Sequence, residues 1–329
     1  MHFSLCYDLQ GRGVHCCFIR KSWMKNYCAA IDFGTNTARL LIAERSSAGI
    51  IPVCVEREIV RLGGDFSHEY GLSAEAQARG LACLGRFSEI LRSYGVNQVR
   101  ASATSAVRDA INGSIFVEKV FQDTGIQLAV IDGEEEARLT LAGVLSALDS
   151  EPETLVVLDV GGGSTEFTVS SGGKSTFIKS MPIGVVRLTE GFRTNAEMNE
   201  RVQMVINQLE NDLSAAGIVF SEAVEFVGTA GTATTVAAIK LEMVEYDYRA
   251  VNNYTISRDD IGAIFQRLSL LSPAERLSVK GVEKGREDLI IAGLLIITAV
   301  MDKFGFTRLK VSDFGLLEGL ALSEHTGCT

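Results

Sequence analysis

The chain has 329 residues and a net charge of −10, with 47% hydrophobic and 22% charged residues: long enough for two domains with their own cores, and too acidic for a surface that coats nucleic acid. Its seven cysteines (Cys6, Cys16, Cys17, Cys28, Cys54, Cys83 and Cys328) lack metal-type Cys-x-x-Cys spacing and read as reduced thiols of a cytoplasmic protein. The four histidines are too scattered for a zinc site or a His-centred triad, and the longest apolar run, 289–300, is too short to cross a membrane.

Residues 1–23 do not fit the pattern of the rest of the chain. They have no apolar h-region, which excludes a secretory signal. They are expected to be an N-terminal extension, disordered or lying ahead of a natural start at Met24. From Tyr27 the pattern is regular. Strand 28–32, turn 33–36 and strand 37–44 form a hairpin, and a third strand covers 51–60. Ser73 is placed to cap a long helix, 74–93. Strand 98–103 leads into a short helix carrying Arg108. Helix 114–124, strand 127–131 and helix 134–148 complete a first domain, 24–150, and Glu151-Pro152-Glu153 is the expected linker.

The second domain, 151–329, repeats the scheme. Strands are expected at 154–159, 165–170 and 175–180, with a turn at Gly172-Gly173. Gly173-Lys174-Ser175 is not a P-loop: Thr168 stands where its first glycine belongs, and no helix comes after it. Helix 195–215, strand 223–227 and a helix to about 240 come next. The stretch 241–256 gives no clear pattern. Helices 257–270 and 283–304, strand 307–311 and a helix near 315–324 end the chain. Strands alternating with helices, each half opening on antiparallel hairpins, argue for an α/β architecture of two duplicated lobes.

The chemistry concentrates at Leu155–Val169, LVVLDVGGGSTEFTV. An apolar strand stops at Asp159. Gly161, Gly162 and Gly163 come after it, then Ser164, Thr165 and Glu166. Consecutive glycines let a ligand approach the backbone and offer adjacent N–H groups to a phosphate oxygen. Asp159 and Glu166, at the two mouths of the turn, are oxygen ligands of the kind Mg²⁺ takes. Residues 30–41, AIDFGTNTARLL, repeat the pattern: Asp32 aligns with Asp159, Gly34 with Gly161, Thr37 with Ser164, and Arg39 with Glu166. Two such turns suggest related lobes facing one phosphate-filled cleft.

Gly228-Thr229-Ala230-Gly231-Thr232 is a third glycine-and-hydroxyl loop, between a strand and a helix N-terminus that favours an anion. Arg108 could clamp a phosphate with its fork of donors. Glu134-Glu135-Glu136 opens a helix, where acids complement the helix dipole; a carboxylate here could also polarise a water for attack on phosphorus. The residues alone do not choose among the three.

These stretches, with SATSAVRDA (102–110), IDGEEEARL (131–139), MPIGVVRLTE (181–190) and VSDFGLLEGL (311–320), resemble the exopolyphosphatase/guanosine pentaphosphate phosphohydrolase family of the actin-like superfamily. The resemblance implies two actin-like (ribonuclease H-like) lobes with a phosphate-binding cleft between them. It implies Glu136 as general base and Arg108 as a phosphate ligand of the catalytic site. It implies Asp159, Glu166 and Asp32 around a divalent metal, Mg²⁺ or Mn²⁺. Phosphate binding falls to Gly34, Thr35, Asn36, Thr37, Arg39, Gly161, Gly162, Gly163, Ser164, Thr165, Gly228, Thr229 and Gly231. The implied substrate is inorganic polyphosphate or guanosine pentaphosphate, and the implied assembly a homodimer. Leu317 stands where an arginine is common, and Asn252-Asn253-Tyr254 where His-Gly-Tyr is usual. A kinase of the same superfamily and a non-catalytic polyphosphate or alarmone sensor are the competing readings.

Overall fold

The computed structural model describes residues 5–6, 27–46, 49–67, 69–96, 99–221 and 223–323. Of the 1–23 extension, only Leu5–Cys6 lies within these residues; the rest, with Met24, is outside them. The chain forms two compact units, residues 1–132 with 316–329 and residues 133–315.

The first unit is built on a six-stranded sheet. Its strands are β1 (Leu5–Cys6), β2 (Tyr27–Phe33), β3 (Thr37–Ser46), β4 (Gly49–Ile59), β5 (Val99–Ala103) and β6 (Leu128–Val130), in the order β1-β4-β3-β2-β5-β6. The pairs β2–β3 and β3–β4 are antiparallel, whereas β2–β5 and β5–β6 are parallel. Helices α1 (Ala74–Ser93), α2 (Ser105–Arg108) and α3 (Gly113–Thr124) belong to this unit. Helix α1 starts where Ser73 predicts, with the Ser73 hydroxyl accepting from the Ala76 N–H at 3.2 Å. Ala29, Ile31 and Phe33 of β2 enter the core with Leu84, Phe87 and Phe116. Strand periodicity therefore turns Asp32 to the opposite face.

The second unit repeats this plan with β7 (Thr154–Val160), β8 (Thr165–Ser171), β9 (Lys174–Met181), β10 (Glu225–Thr229), β11 (Thr255–Ser257) and β12 (Arg308–Val311). The order is β11-β12-β10-β7-β8-β9, so β9, β8, β7, β10 and β12 take the places of β4, β3, β2, β5 and β6. Strand β7 is buried on both faces. Val156, Leu158 and Val160 join the main core, whereas Leu155 and Val157 join a smaller cluster with Leu141 and Val144. Asp159 shares the second face. The β8–β9 turn has Gly172 at φ 55° and Gly173 at φ 77°, the left-handed pair of a tight hairpin, which accounts for the Gly-Gly there.

The helices of this unit are α4 (Gly133–Leu145), α5 (Val185–Gly191), α6 (Asn195–Ala215), α7 (Ala230–Lys240), α8 (Tyr248–Val251), α9 (Arg258–Ser269), α10 (Pro273–Arg276) and α11 (Ile290–Phe304). The chain then returns to the first unit as α12 (Leu316–Leu322), which packs on β2 and β3. Helix α11 starts seven residues later than the apolar pattern suggests. Turns occupy 284–289, where Gly285 is left-handed at φ 88°. Residues 290–301 are all buried, because α5, α6, α7 and α9 surround the helix. Among the described residues no helix is long and apolar enough to cross a membrane.

Two departures matter for the site. The chain passes between units at 132/133 and 315/316, and not at the 150/151 linker. Helix α4 packs on β8 and β9, and Lys310 holds the linker's edge through Asp149 (2.8 Å), Ser150 Oγ (3.0 Å) and Glu225 (2.5 Å). Burial lowers the Lys310 pKa, but those acids raise it further, so the ammonium stays charged. The patternless stretch 241–256 contains α8 and the first two residues of β11. Within it Asn253 is left-handed (φ 65°), which asparagine tolerates better than most residues.

Candidate active site

Each unit carries the expected glycine turn, and the two are built alike. The Gly34 N–H donates to the Thr37 carbonyl at 3.0 Å, and the Gly161 N–H to the Ser164 carbonyl at 3.0 Å. A Cβ on Gly34 would stand 3.0 Å from the Thr37 carbonyl oxygen, and one on Gly161 2.9 Å from that of Ser164. These glycines are required by close approach. None of Gly161, Gly162 and Gly163 is left-handed, so the alternating-φ nest suggested by three glycines does not form.

What forms instead is a loop with its carbonyls tied back. In the first unit the Gly63 N–H donates to Thr35 O, and those of Val60 and Arg61 to Asn36 O. In the second, Val185 donates to Gly161 O, Val186 and Arg187 to Gly162 O, and the Arg187 guanidinium to Gly163 O at 2.8 Å. The backbone N–H groups of Thr35 and Asn36, and of Gly162, Gly163 and Ser164, have no partner among the described residues. Carbonyls bound and amides open make a donor set that suits an anion.

The carboxylates lie beside these loops. Cross-strand register sets Asp159 opposite Glu166, Glu166 opposite Ser180, and Asp159 opposite Thr229, giving one row across the sheet. Helix α4 lies along that row. A Cβ on its first residue, Gly133, would meet Ser180 Cβ at 2.3 Å and Glu166 Oε1 at 3.6 Å. Two turns on, the Thr140 hydroxyl donates to Asp159 Oδ2 at 3.2 Å. Glu136 is three residues past Gly133 and four before Thr140, so it shares their face. It is 7% exposed, whereas Glu134 and Glu135 are open and pair with Arg138. Burial thus separates three glutamates the sequence left equivalent. The Ser180 hydroxyl donates to Glu166 Oε1 at 2.7 Å. Like carboxylates directly opposite on a sheet, both buried, are unfavourable without a cation.

No group of three or more His, Cys, Asp or Glu side chains with metal-holding geometry occurs among the described residues. The Asp159–Glu166 pair nevertheless fits Mg²⁺, which is commonly held by one or two carboxylates and completes its shell with water and phosphate oxygens. In the first unit Asp32 stands opposite Arg39 and beside Ser102. A guanidinium occupies the place that Glu166 takes in the second unit.

Other expected residues are committed to the fold. The Thr165 hydroxyl donates to Ile183 O at 2.6 Å, and that of Thr229 to Phe314 O at 3.1 Å. The Thr35 and Ser105 hydroxyls bond at 2.8 Å, fixing the first loop on α2. Asn36 Nδ2 reaches Thr37 Oγ1 at 3.4 Å. Arg108 donates to Ile131 O at 2.9 Å and lies 3.8 Å from Asp109. Gly228 is a packing glycine inside β10, where a Cβ would meet Leu309 at 2.9 Å. At Gly231 a Cβ would strike the Arg286 guanidinium, which covers the start of α7 and pairs with Glu283 at 3.2 Å. Thr140, Ser180, Arg187 and Arg286 adjoin the candidate site without having been given a role from the sequence. Thr140 had a signal in its helical spacing from Glu136, and Arg187 lay within the 181–190 stretch.

The Ppx/GppA phosphatase family model matches residues 41–326. The chain is 33% identical over 316 residues to exopolyphosphatase 2 of Mycobacterium tuberculosis, covering 90% of this chain and 97% of that protein. It is 33% identical over 313 residues to a bifunctional 3-dehydroquinate synthase/phosphatase of Fusobacterium nucleatum, covering 89% of this chain but only 46% of that longer protein. Among solved structures, an exopolyphosphatase from Cytophaga hutchinsonii superposes with a TM-score of 0.81 at 27% identity, over 89% of this chain and 96% of that one.

Proposed function

The chain belongs to the Ppx/GppA phosphatase family and has its actin-like two-lobe fold, and from that premise we propose that it is an exopolyphosphatase, releasing terminal orthophosphate from inorganic polyphosphate. The observation that carries this reading is Glu136. It is a buried carboxylate on the face of α4 between Gly133, which lies on Ser180 and Glu166, and Thr140, which donates to Asp159. A binding module has no use for a base set there.

In the proposed reaction a water attacks the terminal phosphorus. Glu136 accepts the proton of that water as the new P–O bond forms, and the bond to the bridging oxygen breaks, leaving the shortened chain as the anion. Within each unit the open loop amides are the proposed phosphate donors: those of Thr35 and Asn36, with Arg39, in the first, and those of Gly162, Gly163 and Ser164 in the second. Asp159 and Glu166 would hold Mg²⁺ or Mn²⁺, with Asp32 the corresponding acid of the first unit; the ion supplies charge neutralisation at the phosphoryl oxygens. Arg108 would bind the phosphate only by giving up the Ile131 carbonyl or sharing its donors with it. Cys28, Cys54 and Cys83 are free thiols, which supports the cytoplasm as compartment.

The test is phosphate release with Mg²⁺ from long polyphosphate, short polyphosphate and guanosine pentaphosphate, with no acceptor present. Faster release from either polyphosphate is the expected result. Faster release from the nucleotide would make the protein an alarmone phosphatase. No release from any of the three would overturn the hydrolase reading and favour a sensor or a kinase.

A further inference from the structure

Two helices of this chain begin alike. Helix α4 opens with Gly133-x-x-Glu136, and the turn into α12 reads Gly315-x-x-Glu318. Each comes after the parallel strand next to the central pair, β6 or β12, by way of an aspartate, Asp132 or Asp313. Each helix packs on the equivalent three strands of its own unit: α4 on β7, β8 and β9, most on β9, and α12 on β2, β3 and β4, most on β2. Both glutamates are buried, Glu136 at 7% and Glu318 at 5% exposure. Glu318 is therefore the first unit's counterpart of the proposed base.

Its surroundings differ in charge. Glu136 lies over a row that contains Glu166, whereas Glu318 meets Arg39, the residue aligned with Glu166. The distance is 3.5 Å from Arg39 Nη2 to Glu318 Oε1. The arginine side chain is 21% exposed and the glutamate side chain 6%. Glu318 thus stands behind the guanidinium and Arg39 faces outward. A buried carboxylate is stable there because a charge-assisted bond compensates its lost hydration. The helix carrying it cannot drift, because Arg45 Nη2 donates to Ala321 O at 3.1 Å and Ser323 O at 3.2 Å. Asp32 lies opposite Arg39 in register and Arg57 lies opposite on the other side, so the charged groups of the neighbouring strands are an acid and a second arginine.

We propose that Glu318 is a positioning residue for Arg39, fixing its guanidinium beside the 34–37 loop so that this unit grips a phosphate chain. In the duplication, one copy of the glutamate keeps a reactive carboxylate and the other serves as an anchor for a cation. The inference rests on the phosphate-binding role proposed for Arg39.

The test measures binding of inorganic tripolyphosphate by calorimetry with Mg²⁺, in the Glu136→Gln background to stop turnover. Arg39→Ala, Glu318→Gln and the pair are compared. Arg39→Ala should weaken binding about 10-fold or more and Glu318→Gln about 5-fold, while the double variant binds no more weakly than Arg39→Ala alone, as expected of two coupled residues. Glu318→Asp, which keeps the charge, should recover most of the affinity and serves as the second variant if Glu318→Gln unfolds. If Glu318→Gln leaves binding unchanged, or its factor multiplies fully with that of Arg39→Ala, Glu318 is only a fold residue. If Arg39→Ala has no effect, the premise falls and the inference with it, while phosphate release by the unmodified protein still decides the proposed function separately.

Discussion

The two units carry the same row of positions with opposite electrostatics. In the second unit the row reads Ser180, Glu166, Asp159, Thr229, and the buried Glu136 shares its face. In the first it reads Arg57, Arg39, Asp32, Ser102, with the buried Glu318 meeting Arg39. Strand order and the tying back of loop carbonyls are shared, and the turn bond and the glycine clearance agree to within a tenth of an ångström. The scaffold thus tolerates either sign of charge at one position. In the second unit two carboxylates stand side by side at these positions, whereas in the first an arginine faces the acid.

Three outcomes would sharpen or break this comparison. The largest is at Glu136. Glu136→Gln should lower turnover by about 10²–10⁴-fold with the fold intact, the usual worth of a positioned base. Near-normal turnover would remove Glu136 from the role of base. Next is Thr140. Thr140→Val removes the hydroxyl that Asp159 accepts and should cost about 1.5–3 kcal/mol in denaturant unfolding, the range for bonds to charged groups. An unchanged unfolding midpoint would mean that water replaces the hydroxyl and that α4 does not fix Asp159. The smallest is a matched pair. Gly161→Ala should destabilise by about 1–3 kcal/mol, since its Cβ would press on a backbone oxygen. Gly34→Ala should cost slightly less, because its clearance is a tenth of an ångström greater. Opposite ranking, or tolerance at one site alone, would argue that the two turns are not mechanically equivalent.

Much of this was legible in the sequence. The repeat of Asp, Gly and polar turn residues at fixed spacing located both loops. The Asp32–Arg39 and Asp159–Glu166 pairs result directly from closing a turn between them. Ser73 fixed the start of α1, and Gly172-Gly173 fixed a hairpin. Less legible were the short elements α5, α8 and β11, whose few residues carry no periodicity, and the role of Gly228, which reads as part of a ligand loop but serves packing against Leu309.

Ser180 shows where sequence reasoning stops. Counting back from the Ser171–Lys174 pair would put Lys179 opposite Glu166 and give that carboxylate a cation. A register shift between Val169 and Ser170 moves the pairing by one residue. Ser180 faces Glu166 instead, and Lys179 turns to the other face, where it meets Asp212 at 2.7 Å and lowers that carboxyl's pKa. Local propensity and spacing determined the strands, the turns and which acids stand side by side. The sheet's bulge, and the packing of α4 on β8 and β9 and of α12 on β2 and β3, decided which carboxylates were buried, which were paired with a cation and which glutamate of three lies against the sheet. Those outcomes depend on contacts between residues far apart in the chain, and no local pattern encodes them.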